Sequence, residues 1–496
     1  MASANPQLDE VTIAGLHRGY RDGSLTATAV VREYLSRIER LDRGGPRLNS
    51  ILAVDAAAEE TAAALDRALA ERGELSGPLH GVPVVVKDNI LAAGMPTTFG
   101  SIALDGYRSE RDATVVARLR AAGAIVLAKT TLPDWASSWF SYSSQSETTR
   151  NPFDPDHDPG GSSSGSGAAI SANLATAGLG TDCGGSVRLP ASFCGLVGVR
   201  TTPGVVPRTG SSWLVKQQDT IGPMTRTVED AARLLDVLVG WDPGDPYSAA
   251  ATIGARDRGY LAAVGDRSLV GVRLGLLVDA FGDDGDPARA AVNAVVRAAV
   301  DQVVAAGAEI VEVSIPNLMD HIVKTSMYGD RSKHDLDATL RGLGDAPVAS
   351  MAEIHAAGRY DRRLDLFDNL MDGPDDPEAS PEYLARFAAR HAFTLAVEQA
   401  LAGDRLDALL FPTSQLPAPS MEERGDWTTL TFPTNTLIAS QTWTPAVTVP
   451  GGFTDAGLPV GVELVGRRFD ELRVMRVAGA VEAATRARRA PVLGGC

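Results

Sequence analysis

The stretch GGSSSGSGAAISANLATAGLGTDCGGSVR, residues 160–188, decides the reading of this chain. It holds two Gly-Gly-Ser turns, Gly160-Gly161-Ser162 and Gly184-Gly185-Ser186, separated by a run of small residues. Paired glycines ahead of a serine permit φ > 0 and let a ligand come close to the backbone. In the second turn the N–H groups of Cys183, Gly184, Gly185 and Ser186 can converge on one point, a nest suited to an oxyanion. Losing one such donor typically costs about 3–4 kcal/mol of transition-state stabilisation.

Upstream lies HGVPVVVKDN, residues 80–89, where Lys87 ends an apolar run. Of the 46 Lys and Arg residues only Lys87, Lys129, Lys216, Lys324 and Lys333 are lysine, so a lysine here stands out. Arginine does not deprotonate in proteins, whereas burial drives a lysine toward its neutral, basic form. A serine with a desolvated lysine base is one way to activate a hydroxyl.

Apolar periodicity predicts helices within 10–42, broken at Gly23, and over 55–72, 113–122, 165–177, 227–239, 287–306 and 470–487. Short apolar runs predict strands at 82–86, 124–128, 179–181, 272–278, 309–313, 446–449 and 459–465. Gly178 reads as the cap ending the helix over 165–177. Alternation of strand and helix gives an α/β fold. The rhythm breaks over 316–385, which reads as an inserted cap or lid within one domain spanning 1–496.

A net charge of −16 argues against nucleic acid as a partner. No apolar run approaches the length of a membrane span, and MASANPQLDE lacks the charged and apolar regions of a signal peptide. A cytoplasmic location is therefore expected. Cys183, Cys194 and Cys496 form neither a disulfide framework nor a zinc motif. His157, between Asp156 and Asp158, reads as a loop residue rather than a metal ligand, because adjacent side chains diverge.

Five blocks carry a resemblance: HGVPVVVKDN; TRNPFDPDHDPGGSSSGS (149–166); GLGTDCGGSVRLPASFCGLVGVRTTPG (178–204); QDTIGPMTRTVEDAA (218–232); and TPAVTVPGGFTDAGLPVGVELVGRRFDE (444–471). Together they resemble the amidase signature family, least so over 316–430. The resemblance implies a large mixed β-sheet covered by helices on both faces. It implies a triad in which Ser186 is the nucleophile, Ser162 the bridging serine after a cis Gly161–Ser162 peptide, and Lys87 the base. Ser163, Asp182 and Arg188 match positions that order this triad, and Ala136 a position lining the acyl site. Ser164 stands where the family often has Gly, and Cys183 where it has Thr, Ile or Asp.

The implied reaction is hydrolysis of a carboxamide C–N bond through an acyl-enzyme on Ser186, releasing ammonia or an amine, with no metal and no cofactor. The same machinery would serve a carbamate or ester hydrolase, or the glutamine-hydrolysing subunit of a tRNA-dependent amidotransferase. The expected partner is a small-molecule amide and, if the chain self-associates, a second copy in a homodimer. The segment WASSWFSY (135–142), with Trp213 and Trp443, is expected to line the acyl pocket. The rival motif G-x-S-x-G at 161–165 would make Ser163 a nucleophile served by a late histidine. His391 is the last histidine and no HGGG-type motif occurs, so this reading is set aside.

Overall fold

The computed structural model of the protein describes residues 8–255 and 259–493. Cys496 and the first residues of MASANPQLDE lie outside the described residues. The strands are β1 (Ile51–Val54), β2 (Pro83–Lys87), β3 (Ile125–Thr130), β4 (Ala177–Asp182), β5 (Val197–Arg200) and β6 (Thr220–Thr225). They continue with β7 (Arg273–Leu277), β8 (Glu309–Val313), β9 (Ala408–Pro412), β10 (Ala446–Phe453) and β11 (Pro459–Val465). All join one 11-stranded sheet in the order β1-β3-β2-β4-β6-β5-β10-β11-β9-β7-β8. Pairing is mixed: β2 runs parallel to β3 and β4, whereas β4, β6, β5, β10, β11 and β9 alternate in direction.

Side chains of a strand alternate between faces, and here each face buries its own core. On β2, Val84 and Val86 join one apolar cluster while Val85 joins another. On β9, Ala408 and Leu410 face one cluster and Leu409 and Phe411 another. The first face is covered by helices Val228–Leu238, Pro287–Ala305 and Glu471–Thr485, whose Leu234, Val296 and Val477 are buried in it. The opposite face is covered by Ala27–Arg37 and Ser164–Ser171 at one end and by Leu318–Thr325 and Pro381–Gly403 at the other.

Most predicted elements fall where periodicity places them, with instructive exceptions. The helix expected over 165–177 stops at Ser171. Asn173 adopts a left-handed φ of 56°, and Leu174 N–H donates back to the Ala169 carbonyl. Gly178 is therefore no cap; it lies inside β4, paired with Val85 on one side and Met224 on the other. Strands β1, β5, β6 and β9 were not expected. In β5 and β6, Gly198, Gly222 and Pro223 mask the strand pattern. Residues 316–385 are largely helical, as Leu318–Thr325, Tyr328–Gly342, Met351–Ala356 and Asp365–Leu370.

Gly222 shows why glycine interrupts these strands. A Cβ there would collide with the Val199 carbonyl oxygen of the neighbouring strand. Backbone cannot swing aside as a side chain can. Gly222→Ala is expected to destabilise the fold by about 1–3 kcal/mol, read as a lower midpoint of urea unfolding.

Candidate active site

Strand β2 delivers Lys87 as its last residue, and β4, its parallel neighbour, delivers Thr181 and Asp182 at the corresponding end. The Gly-Gly-Ser loop 183–187 follows directly, then the short helix Arg188–Phe193. The Gly160–Ser163 turn enters helix Ser164–Ser171, packed against both strands. Three segments thus meet at the C-terminal ends of the parallel strands β2 and β4.

Lys87 is fully buried, and its Nζ donates to Ser162 Oγ at 2.7 Å and to Thr181 Oγ1 at 2.9 Å. Asn89 Nδ2 also donates to Thr181 Oγ1, at 3.0 Å. Burial pulls the Lys87 pKa down to about 7, although the carboxylates of Asp219 and Asp182 oppose the shift. The Gly161–Ser162 peptide is cis. Ser163 N–H donates to the Ser186 carbonyl at 3.1 Å, and Ser163 Oγ donates to the Thr181 carbonyl at 3.3 Å. The two turns are therefore stitched together through Ser163. The Ser186 hydroxyl itself makes no hydrogen bond among the described residues, and it lines a small chamber.

Ionic scaffolding holds the Gly-Gly-Ser loop from below. Asp182 Oδ1 accepts from Arg188 Nη2 at 3.1 Å and from Arg200 Nη1 at 2.9 Å, and its Oδ2 caps Val187 N–H at 3.1 Å. Burial would raise the Asp182 pKa, yet the two guanidinium groups hold it at about 2. Arg188 also pairs with Glu463 of β11 and donates to the Thr436 carbonyl at 2.9 Å and Ser440 Oγ at 2.8 Å. Breaking one member of such a fully buried array costs far more than an exposed pair would, because it strands a charge.

The loop's donors are aimed by gripping its carbonyls. A peptide unit is planar, so fixing a C=O fixes the N–H of the next residue. Arg200 holds the Asp182 carbonyl at 2.6 Å, Gln218 holds that of Cys183 at 2.6 Å, and Leu189 N–H holds that of Gly185 at 2.7 Å. The N–H groups of Cys183, Gly184, Gly185 and Ser186 find no acceptor among the described residues. Buried backbone donors are rarely left unpaired, and four in succession form a site for developing negative charge. Both glycines are obligatory. A Cβ on Gly184 would meet the Tyr328 hydroxyl and the Trp139 ring, and one on Gly185, at φ 143°, would meet Thr436 Oγ1.

The chamber, about 10 Å³, is lined by Ala136, Ser137, Ser138, Trp139, Cys183, Ser186, Leu214, Tyr328, Leu366 and Thr429. Of the WASSWFSY segment, Trp135, Phe140, Ser141 and Tyr142 do not line the chamber, whereas Ala136, Ser137, Ser138 and Trp139 do. Trp213 and Trp443 do not: the first lines a separate cavity with Lys216 and Arg331, the second a surface cavity with Tyr247 and Phe387. Both tryptophans attract arginines instead, Arg208 over Trp213 at 5.0 Å and Arg390 over Trp443 at 5.7 Å. Tyr328, Leu366 and Thr429 were missed by sequence reasoning. They come from the stretch least like the family, where nothing local marks a pocket wall. The same three residues also line an outer cavity of about 410 Å³ with Ile322, Val323, Leu430 and Leu437. His157 Nδ1 lies 3.0 Å from the Asp154 carboxylate, and no group of three or more His, Cys, Asp or Glu suited to a metal occurs among the described residues. Among those residues no helix is long and apolar enough to cross a membrane.

Comparison with known proteins places the fold and the family. The amidase family profile matches residues 29–475. The A subunit of the glutamyl-tRNA(Gln) amidotransferase from Symbiobacterium thermophilum is 36% identical, over 96% of this chain and 97% of that one. The solved native peptide amidase of Stenotrophomonas maltophilia superposes with a TM-score of 0.86 at 35% identity, covering 97% of this chain and 98% of that one. The solved A subunit of the same amidotransferase from Thermotoga maritima gives 0.77 at 28% identity, covering 98% of this chain and 99% of that one. With a family match across nearly its whole length and that family's sheet architecture, this chain belongs to the amidase family and is an amidase-type hydrolase of C–N bonds.

Proposed function

We propose that the protein hydrolyses a linear carboxamide through an acyl-enzyme on Ser186, releasing ammonia or an amine. The observation that carries this reading is the 2.7 Å contact between a fully buried lysine amine and Ser162 Oγ, beside the unpaired Ser186 hydroxyl and four free amides. Neutral Lys87 takes a proton through Ser162 as Ser186, after rotation about χ1, attacks the carbonyl. The amides of 183–186 receive the oxyanion. The relay then returns the proton to the departing nitrogen, which an amide requires because an amide anion leaves poorly. Water releases the acid by the same route in reverse. Ser163, Asp182 and Arg188 order the loop, and residues 316–385 act as the cap, bringing Tyr328 and Leu366 over Ser186.

The walls favour a substrate with an apolar acyl portion. The outer cavity is apolar on most sides, and its charged pair, Asp330 with Arg386 at 2.8 Å, is self-neutralised. A second reading draws on the relatives named as amidotransferase subunits: hydrolysis of glutamine to supply ammonia to partner proteins. A panel of aliphatic, aryl, peptide C-terminal and carbamate substrates separates the two. Turnover by the chain alone supports the amidase. Turnover of glutamine only when partner proteins are added supports the other.

Ser186→Ala is expected to abolish turnover of every substrate in that panel, by about 10³-fold or more; wild-type activity in this variant would remove Ser186 as nucleophile. The base works only when neutral, so kcat/KM should rise with pH and reach half its plateau at about 7. A flat profile from pH 5 to 9 would contradict this. Stability carries the same sign. Between about 7 and the ordinary lysine value of 10.5 the unfolded chain binds the extra proton, so wild-type stability gains with pH relative to Lys87→Met.

A further inference from the structure

Arg390, from helix Pro381–Gly403, is fully buried, yet no carboxylate lies within ion-pair distance of it among the described residues. Its Nε donates to the Thr325 carbonyl at 2.9 Å, its Nη2 donates to Gln218 Oε1, and its Nη1 has no partner. Its face lies over Trp443. The other two buried arginines near the site are neutralised: Arg188 by Asp182 and Glu463, Arg200 by Asp182. Burying an ion without a counter-ion costs several kcal/mol, and burial lowers the Arg390 pKa only to about 10, so it stays charged. Packing does not explain such a residue, since an apolar side chain would fill the space without that cost.

The hydrogen bonds show where the charge acts. Gln218 is fixed on one side by Arg390 and on the other donates to the Cys183 carbonyl. That carbonyl belongs to the peptide plane whose N–H is Gly184's, an unpaired donor of the nest. A hydrogen bond to the carbonyl end both aims that N–H and polarises it. By holding the Thr325 carbonyl, Arg390 also steadies the turn that presents Tyr328 to the chamber. We infer that Arg390 is a positioning residue for the oxyanion: through Gln218 it orients the Cys183–Gly184 peptide, and its unbalanced positive charge favours the negative transition state over the neutral amide.

The inference rests on Ser186 being the nucleophile, and the test keeps the two apart. Arg390→Met and Arg390→Lys are assayed on an amide substrate, and each is titrated with the aldehyde corresponding to that substrate's acyl group, which forms a tetrahedral adduct on the active serine. Arg390→Met should lower kcat by about 10- to 100-fold with KM within threefold, and weaken the aldehyde by a matching factor. Arg390→Lys, which keeps the charge, should recover part of both losses. Gln218→Met should move the same two quantities in the same direction as Arg390→Met, which keeps the test alive if the latter fails to fold. Unchanged kcat in folded Arg390→Met, or a loss confined to KM, overturns the proposal. If the aldehyde binds Ser186→Ala as tightly as wild type, the nucleophile assignment fails instead.

Discussion

An amine held out of water is the constraint on which the site depends. Lys87 sits at the end of a strand buried on both faces, and no solvent reaches its Nζ. In that place the protonated form loses its hydration and gains only distant help from Asp182 and Asp219. A sizeable neutral fraction is therefore present near pH 7, which no lysine on the surface would allow. The sheet accomplishes this by geometry. Parallel pairing of β2 with β4 sets Lys87 beside Thr181, and the turn ahead of helix Ser164–Ser171 closes over both.

Around that amine the protein sorts its charges by depth. Asp182, Arg188, Arg200 and Glu463 form a buried array that leaves little net charge beneath the nucleophile loop. The array fixes direction, while the open amides above it supply attraction. A second buried pair, Lys129 with Asp88 at 3.0 Å, bonds to Thr97 and sits under the neighbouring loop, away from the chamber. Of the two buried lysines, one is thus balanced by a carboxylate, while the other meets only uncharged oxygens of Ser162 and Thr181. Lys87 and Asp182, the latter at the centre of the charged array, lie at the ends of interior strands, β2 and β4, rather than at an edge of the sheet. The chamber walls come from both parts of the chain: 136–139 and Leu214 from the family-like part, Tyr328, Leu366 and Thr429 from 316–430.

Much of this was legible in the sequence. Gly-Gly-Ser twice, and a lysine closing an apolar run, are local signals, because tight turns and buried strands demand particular residues wherever they occur. The strands at 82–86 and 309–313 and the helix over 287–306 follow from periodicity for the same reason. What stayed hidden depends on distant contacts. Gly198, Gly222 and Pro223 disguise β5 and β6, since close backbone approach there selects against side chains. The helix end at Asn173 was misplaced because Gly178 offered a more conventional cap. Tyr328, Leu366 and Thr429 become pocket walls only when segments from far along the chain fold over the ends of β2 and β4. Trp213 and Trp443 misled for the converse reason: proximity to family blocks in the chain did not mean proximity in space.

The nucleophile loop is complete by residue 188, yet Arg188 needs Glu463 and the Thr436 carbonyl, and Gly185 closes against Thr436. During synthesis the loop leaves the ribosome long before these partners do. A nascent chain holds Lys87, Ser162 and Ser186 while Arg188 still lacks one of its two carboxylates and the glycine turn lacks its wall. Translation must pass into the final strand, which carries Glu463, before the loop has all of its partners. A fragment ending before Thr436 would carry Lys87, Ser162 and Ser186 without the residues that brace that loop.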